Sequence, residues 1–163
     1  MVKLIGAVMT GFACGYFGFR MRMNLKTRLT SLTNILTSLE ALESEISFSV
    51  NKLRKALTRA DTNGLFALAA KKTEEMGAER AWKEAVREMS GRLCLCGADC
   101  DALNLLAGSL GKTDCGDQIK NIRYVKSLVT AQRNQAETEY TKYGKLYSSG
   151  GILIGAFIVI ALI

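Results

Sequence analysis

Cys94, Cys96 and Cys100, with Cys115 further on, form the densest group of chemically capable side chains in the sequence. Four thiolates could hold zinc or an iron–sulfur cluster, and a membrane-tethered metal or redox sensor is the reading that would use them. Their C-x-C-x3-C spacing matches neither the C-x2-C knuckle nor a ferredoxin run. Cysteine is also a common small buried residue, and a reducing cytoplasm disfavours disulfides. No metal and no cofactor is therefore expected. The chain contains no histidine, which excludes Ser-His-Asp and Cys-His catalysis and imidazole-ligated metals.

The string Gly108-Ser-Leu-Gly111-Lys112-Thr113 suggests a phosphate loop. Such a loop needs four residues between its glycines, and the position that would supply the first is Leu106. Gly111 reads instead as a helix terminus. Glu40, Glu43 and Glu45 lie on one helical stretch, with Glu40 and Glu43 on a shared face. A carboxylate pair can do acid–base chemistry, but no other residue nearby suggests a substrate pocket. The choice lies between a solvated flank and an acidic patch for a protein partner, with Glu40 and Glu43 as its partner-binding residues.

Tyr140, Tyr143 and Tyr147 share a face just before an apolar terminus, where tyrosine rings suit the headgroup level of a bilayer, as do Arg20 and Arg22 at the other end. Gly11 with Gly15, and Gly151 with Gly155, have small-xxx-small spacing, which permits close helix contact within a molecule or between copies of the chain.

The elements that must position these residues are helical. Leu25, Leu29, Leu32, Leu36, Leu39, Leu42 and Ile46 repeat every three or four residues, predicting a helix from about Met23 to Phe48. Val50, Leu53 and Leu57 mark a short second helix. Asp61 and Thr62 should cap a third, which ends near Gly77. Trp82, Ala85, Val86 and Met89 mark a fourth, ending before Gly91. After a polar break, Leu103, Leu105, Leu106 and Leu110 mark a fifth. The sixth opens at Asp114 and Asp117 and carries Ile119, Ile122, Val125 and Val129, with no proline in the chain to stop it. No strand signal is evident. The expected fold is all-α, a six-helix antiparallel bundle.

The two ends are apolar. Leu4–Phe19 has no charge between Lys3 and Arg20, and Gly150–Ile163 has none at all. Sixteen helical residues span about 24 Å, short of a hydrocarbon core of about 30 Å, but flanking Lys and Arg can snorkel outward. We therefore expect transmembrane anchors at residues 1–20 and 148–163 flanking a cytoplasmic helical domain at 21–147. Arg20, Arg22, Lys26 and Arg28 at one end, and Lys142 and Lys145 at the other, place the middle inside. The net charge of +7, from 22 basic against 15 acidic residues, lies largely beside these anchors. Elsewhere, bases such as Lys71, Lys72, Arg80 and Lys83 alternate with Glu74, Glu75, Glu79 and Glu84, which is an ordinary solvated face and not a nucleic-acid site.

Taken together, the chain resembles the stage III sporulation protein AB family of endospore-forming bacteria. The resemblance rests on Leu39–Ile46, on Ala81-Trp82 with Ala85, on Leu110-Gly111 with Asp114 and Gln118-Ile119-Lys120, and on Lys145-Leu146-Tyr147 leading into the glycine-led final segment. The family tends to place a proline before the second helix, where this chain has Val50-Asn51-Lys52, and the cysteine cluster is not part of its pattern. The resemblance implies a non-enzymatic scaffold in the mother-cell membrane. It would belong to a channel or feeding apparatus to the forespore, similar to the platform protein of type II secretion, whose cytoplasmic domains are six-helix bundles. Its implied partners are a secretion-type ATPase and membrane components of the same complex, in addition to the lipid bilayer.

Overall fold

The computed structural model describes residues 2–48, 53–111 and 115–162. Near the ends it leaves out the side chains of residues 2–8, 10–12, 14, 48, 148, 151–152, 154–156, 158–159 and 161–162. Six α-helices follow in order: α1 Val2–Phe48, α2 Leu53–Ala60, α3 Leu65–Met76, α4 Ala78–Ser90, α5 Gly97–Asn104 and α6 Cys115–Leu162, with a 3-10 turn at Leu105–Gly108 before α6. Among the described residues there is no strand, as the all-α expectation requires.

The expected flanking helices are not separate elements. Residues 2–20 and the leucine stripe belong to one 47-residue helix, and residues 150–162 belong to the 48-residue α6. Arg20-Met-Arg-Met23 at the first junction are good helix formers and no proline stands there, so nothing blocks the hydrogen-bond ladder. Among the described residues no helix is long and apolar enough to cross a membrane. The transmembrane expectation therefore has no support there, and much of it falls on side chains outside the described ones. Val50 and Asp114 also lie outside the described residues.

The chain divides into two compact units, a central one, Thr30–Asn134, and a terminal one built from Met1–Leu29 and Gln135–Ile163. The central unit holds a closed core. Leu32, Ile35, Leu39 and Leu42 of α1 are fully buried, as are Leu57, Leu65, Phe66, Trp82, Leu103, Leu106 and Ile122. The Phe66 and Trp82 rings meet edge to face at 5.0 Å, a contact worth about 0.5–1.5 kcal/mol beyond burial. The buried Trp82 Nε1–H donates to the Leu103 carbonyl at 2.8 Å, so the indole costs no unpaired donor. Only Gly77, at φ 80°, separates α3 from α4, which pack against each other with Lys72 and Glu88 paired at 2.5 Å. That positive φ, with ψ 159°, is open to glycine and reverses the chain.

Two helix starts differ from expectation. Asp61 does cap α3, since its carboxylate accepts the Gly64 and Phe66 N–H groups at 3.0 Å. Thr62 does not; its hydroxyl donates to the Asn34 carbonyl at 2.8 Å and sits 2.7 Å from Ser38 Oγ, tying the α2–α3 turn to α1. The expected polar break before the fifth helix is shorter than expected, residues 91–96, because α5 begins at Gly97. Gly111 ends its turn at φ 73°, and a Cβ there would meet Leu53 Cδ2 at 3.3 Å, so the glycine of the phosphate-loop-like string serves the backbone.

Candidate functional site

In the central unit Glu40 and Glu43 of α1 face α6. Arg123 Nε donates to Glu43 Oε1 at 2.6 Å, and Lys126 Nζ lies 3.4 Å from both Glu43 Oε2 and Glu40 Oε1. Residue numbers rise along α1 as they fall along α6, so the two stretches run antiparallel. The Arg123 guanidinium holds the Glu43 carboxyl below the usual carboxylate range, against the opposing pull of partial burial. A carboxylate so firmly ionised is a poor proton acceptor near neutral pH. Glu43 keeps 17% of its side chain exposed and Glu40 keeps 63%, so Glu40 is the outward member of the expected acidic patch. Glu45 turns toward α2 and pairs with Arg59 at 3.3 Å.

The cysteines occupy helix ends. Cys94 adopts φ 54°, and the Leu95 N–H donates to the Ser90 carbonyl at 2.9 Å while the Cys94 N–H donates to that of Gly91 at 3.3 Å. This is the left-handed closure by which a helix terminates, with cysteine where glycine is usual. Cys96 opens α5, and the buried Asp99 accepts its N–H at 2.9 Å in the manner of a capping box. Burial, with Asp99 beside it, pushes the Cys100 thiol up, away from the thiolate that metal binding or redox exchange needs. Among the described residues no three or more His, Cys, Asp or Glu are arranged to hold a metal ion.

In the terminal unit α1 and α6 also run antiparallel. Arg22 Cγ lies 3.8 Å from where a Cβ on Gly144 would stand, and the buried Arg28 pairs with Glu139 at 2.7 Å. Gly144 is buried and also faces the Tyr140 ring, which would meet that Cβ at 3.4 Å. It is a close-approach glycine outside the two glycine pairs of the sequence, its four-residue partner being Ser148. Among the described residues nothing lies within 4 Å of a Cβ built on Gly15, and the surroundings of Gly11, Gly151 and Gly155 lie outside the described residues.

This register brings two remote stretches together. Arg20, Arg22 and Lys26 of α1 and Lys142 and Lys145 of α6 fall at one level of the helix pair, with Tyr140, Tyr143 and Tyr147 among them. The Tyr143 and Tyr147 rings lie 6.2 Å apart, and Lys142 Nζ stands 5.3 Å from the Tyr143 centroid. Beyond that level, toward the chain ends, Tyr16, Phe17, Phe19, Leu153, Phe157 and Ile160 are all more than half exposed. A basic, tyrosine-bearing collar beside uncovered apolar side chains is suited to binding at a surface.

The comparisons with known proteins agree with one another. A family model for stage III sporulation protein AB matches residues 3–163. The stage III sporulation protein AB of Bacillus subtilis (strain 168) is 25% identical over 170 residues, covering 99% of each chain. A solved structure of a stage III sporulation protein AB superposes with a TM-score of 0.63 at 20% identity, over 70% of this chain and 96% of that one. At that identity the superposition speaks to the fold alone.

Proposed function

The chain belongs to the stage III sporulation protein AB family, and from that premise we propose that it is a non-catalytic scaffold of a sporulation complex between mother cell and forespore. The match over residues 3–163 is the observation that carries this reading. In it the terminal unit attaches the protein to the mother-cell membrane by two passes, and the central unit faces the cytoplasm. There it engages a secretion-type ATPase and, beside it, the membrane components of the complex. The uncharged stretches Leu4–Phe19 and Gly150–Ile163 support the attachment, and the basic residues flanking them support the orientation. The closed core of the central unit supports a docking body, because a preformed surface binds without an ordering cost.

The test is deletion of the gene in sporulating cells. Forespores should be engulfed and then shrink or stall; normal spores would remove the scaffold role. For the ATPase contact, Glu40→Lys in the full chain should weaken co-purification of the motor, and unchanged recovery would take that acidic face out of the interface. Glu43 is unsuitable for this purpose, since its reversal would also repel Arg123 and Lys126 within the unit.

A further inference from the structure

We propose that the collar formed by Arg20, Arg22 and Lys26 of α1 with Lys142 and Lys145 of α6 is a binding site for the phosphates of anionic phospholipid headgroups. The inference rests on the membrane attachment proposed above and adds a lipid class to it. Three observations carry it. First, the antiparallel register set by Arg22 beside Gly144 and Arg28 against Glu139 gathers five cations that the sequence holds in two clusters. From Arg20 to Lys26 is six helical steps, about 9 Å, which is within a Debye length of about 8–10 Å at moderate salt, so their fields add instead of being screened apart.

Second, acids are few beside the collar, the terminal unit holding Glu137 and Glu139 against these five cations. Residues 1–39 and 140–163 contain no Asp or Glu, and the nearest acid, Glu139, is taken by Arg28 at 2.7 Å. Arg20, Lys26, Lys142 and Lys145 are exposed, so their charges face outward. Third, the neighbours select a lipid over an acidic protein. The Tyr143 ring lies under Lys142, and on the side toward the chain ends Tyr16, Phe17, Phe19 and Phe157 stand uncovered. Charge for the phosphate, a phenol at headgroup depth and apolar side chains beyond it follow the order of polarity through one leaflet.

The experiment uses the full chain in a neutral detergent, titrated with dihexanoyl phosphatidylglycerol, dihexanoyl phosphatidylcholine or glycerol phosphate, with the thermal unfolding midpoint as readout. Phosphatidylglycerol should act at a concentration at least about tenfold below phosphatidylcholine. Lys142→Gln with Lys145→Gln should raise that concentration by about tenfold or more, at about fivefold per charge. Lys55→Gln with Lys71→Gln, both exposed and in the central unit, should leave it unchanged. Equal action of the two lipids, or no effect of the Lys142/Lys145 pair, overturns the proposal. Glycerol phosphate acting as well as phosphatidylglycerol also overturns it, by showing a free-anion site. The attachment itself is read separately: it fails if alkaline carbonate strips the chain from neutral phosphatidylcholine vesicles. The lipid-class inference fails if the chain stays there while the two lipids act alike.

Discussion

The central and terminal units share two helices yet meet their surroundings in opposite ways. Among the described residues of the central unit, the exposed large apolar side chains are Met76, Leu105 and Tyr124, set against a core of fully buried leucines, Phe66 and Trp82. In the terminal unit Met9, Tyr16, Phe17, Phe19, Leu146, Leu153, Phe157 and Ile160 are all more than half exposed. Charge follows the same division. The terminal unit holds Lys3, Arg20, Arg22, Lys26, Arg28, Lys142 and Lys145 against only Glu137 and Glu139, whereas the other thirteen acids of the chain all lie in the central unit. One unit buries its apolar surface internally and balances its charge; the other does neither. Helix type and length do not distinguish them, so what a helix is built to face is read from its outer residues.

The largest way to break that comparison is to open the central core. Trp82→Ala should destabilise the central unit by about 3–5 kcal/mol, through the lost ring, the cavity and the lost indole hydrogen bond to the Leu103 carbonyl. Urea unfolding followed by far-ultraviolet circular dichroism measures it. Retention of the full chain in vesicles should not change, because the tryptophan lies outside the terminal unit; loss of both together would show that the division into units has no energetic meaning.

Next comes the ion pair inside the terminal unit. Glu139→Ala leaves the buried Arg28 guanidinium without this carboxylate and should cost about 2 kcal/mol, less than the roughly 3–5 kcal/mol of a fully buried pair because Glu139 is half-exposed. Arg28→Met with Glu139→Leu should recover most of that loss, and a double variant no better than the single would assign the cost to packing instead of charge.

The smallest effect belongs to the clamp between Glu43 and Arg123. Arg123 is largely exposed, so Glu43→Gln should cost at most about 1 kcal/mol. Because the folded state lowers the Glu43 proton affinity, its contribution is present above the ordinary carboxylate range and disappears as the pH falls through the lowered value. The wild type and Glu43→Gln should therefore converge in stability in acid, as thermal midpoints at pH 7 and pH 3 would reveal. A constant difference would place the contribution in shape and not in charge.

Several of these features were legible in the sequence for identifiable reasons. The leucine stripe located α1, and its members Leu32, Leu39 and Leu42 are fully buried; Ile35 joins them because the true stripe advances by three, four and three residues. Apolar spacing also located α4, whereas Gly111, expected at a helix terminus, stands in the turn that follows the 3-10 stretch. Local pattern could not reveal pairings made across the fold. Thr62 has the composition of a cap but reaches back to Asn34, and Glu43 has the composition of a surface acid but finds Arg123, eighty residues later. The helix junction at the cysteines was not legible either: Cys94 and Cys96 lie close where one helix stops and the next starts.

The pairing of Arg28 with Glu139 also has a consequence in time. The two residues stand 111 positions apart, and the ribosome adds about 5–20 residues each second. The first apolar stretch thus waits on the order of ten seconds for its partner helix. During that interval Arg28 has no carboxylate from Glu139, and the exposed rings of α1 have no neighbour from α6. A nascent chain in that condition is a substrate for whatever apolar phase or chaperone reaches it first. The order of synthesis therefore obliges α1 to find its surroundings alone, and α6 to find α1 already placed.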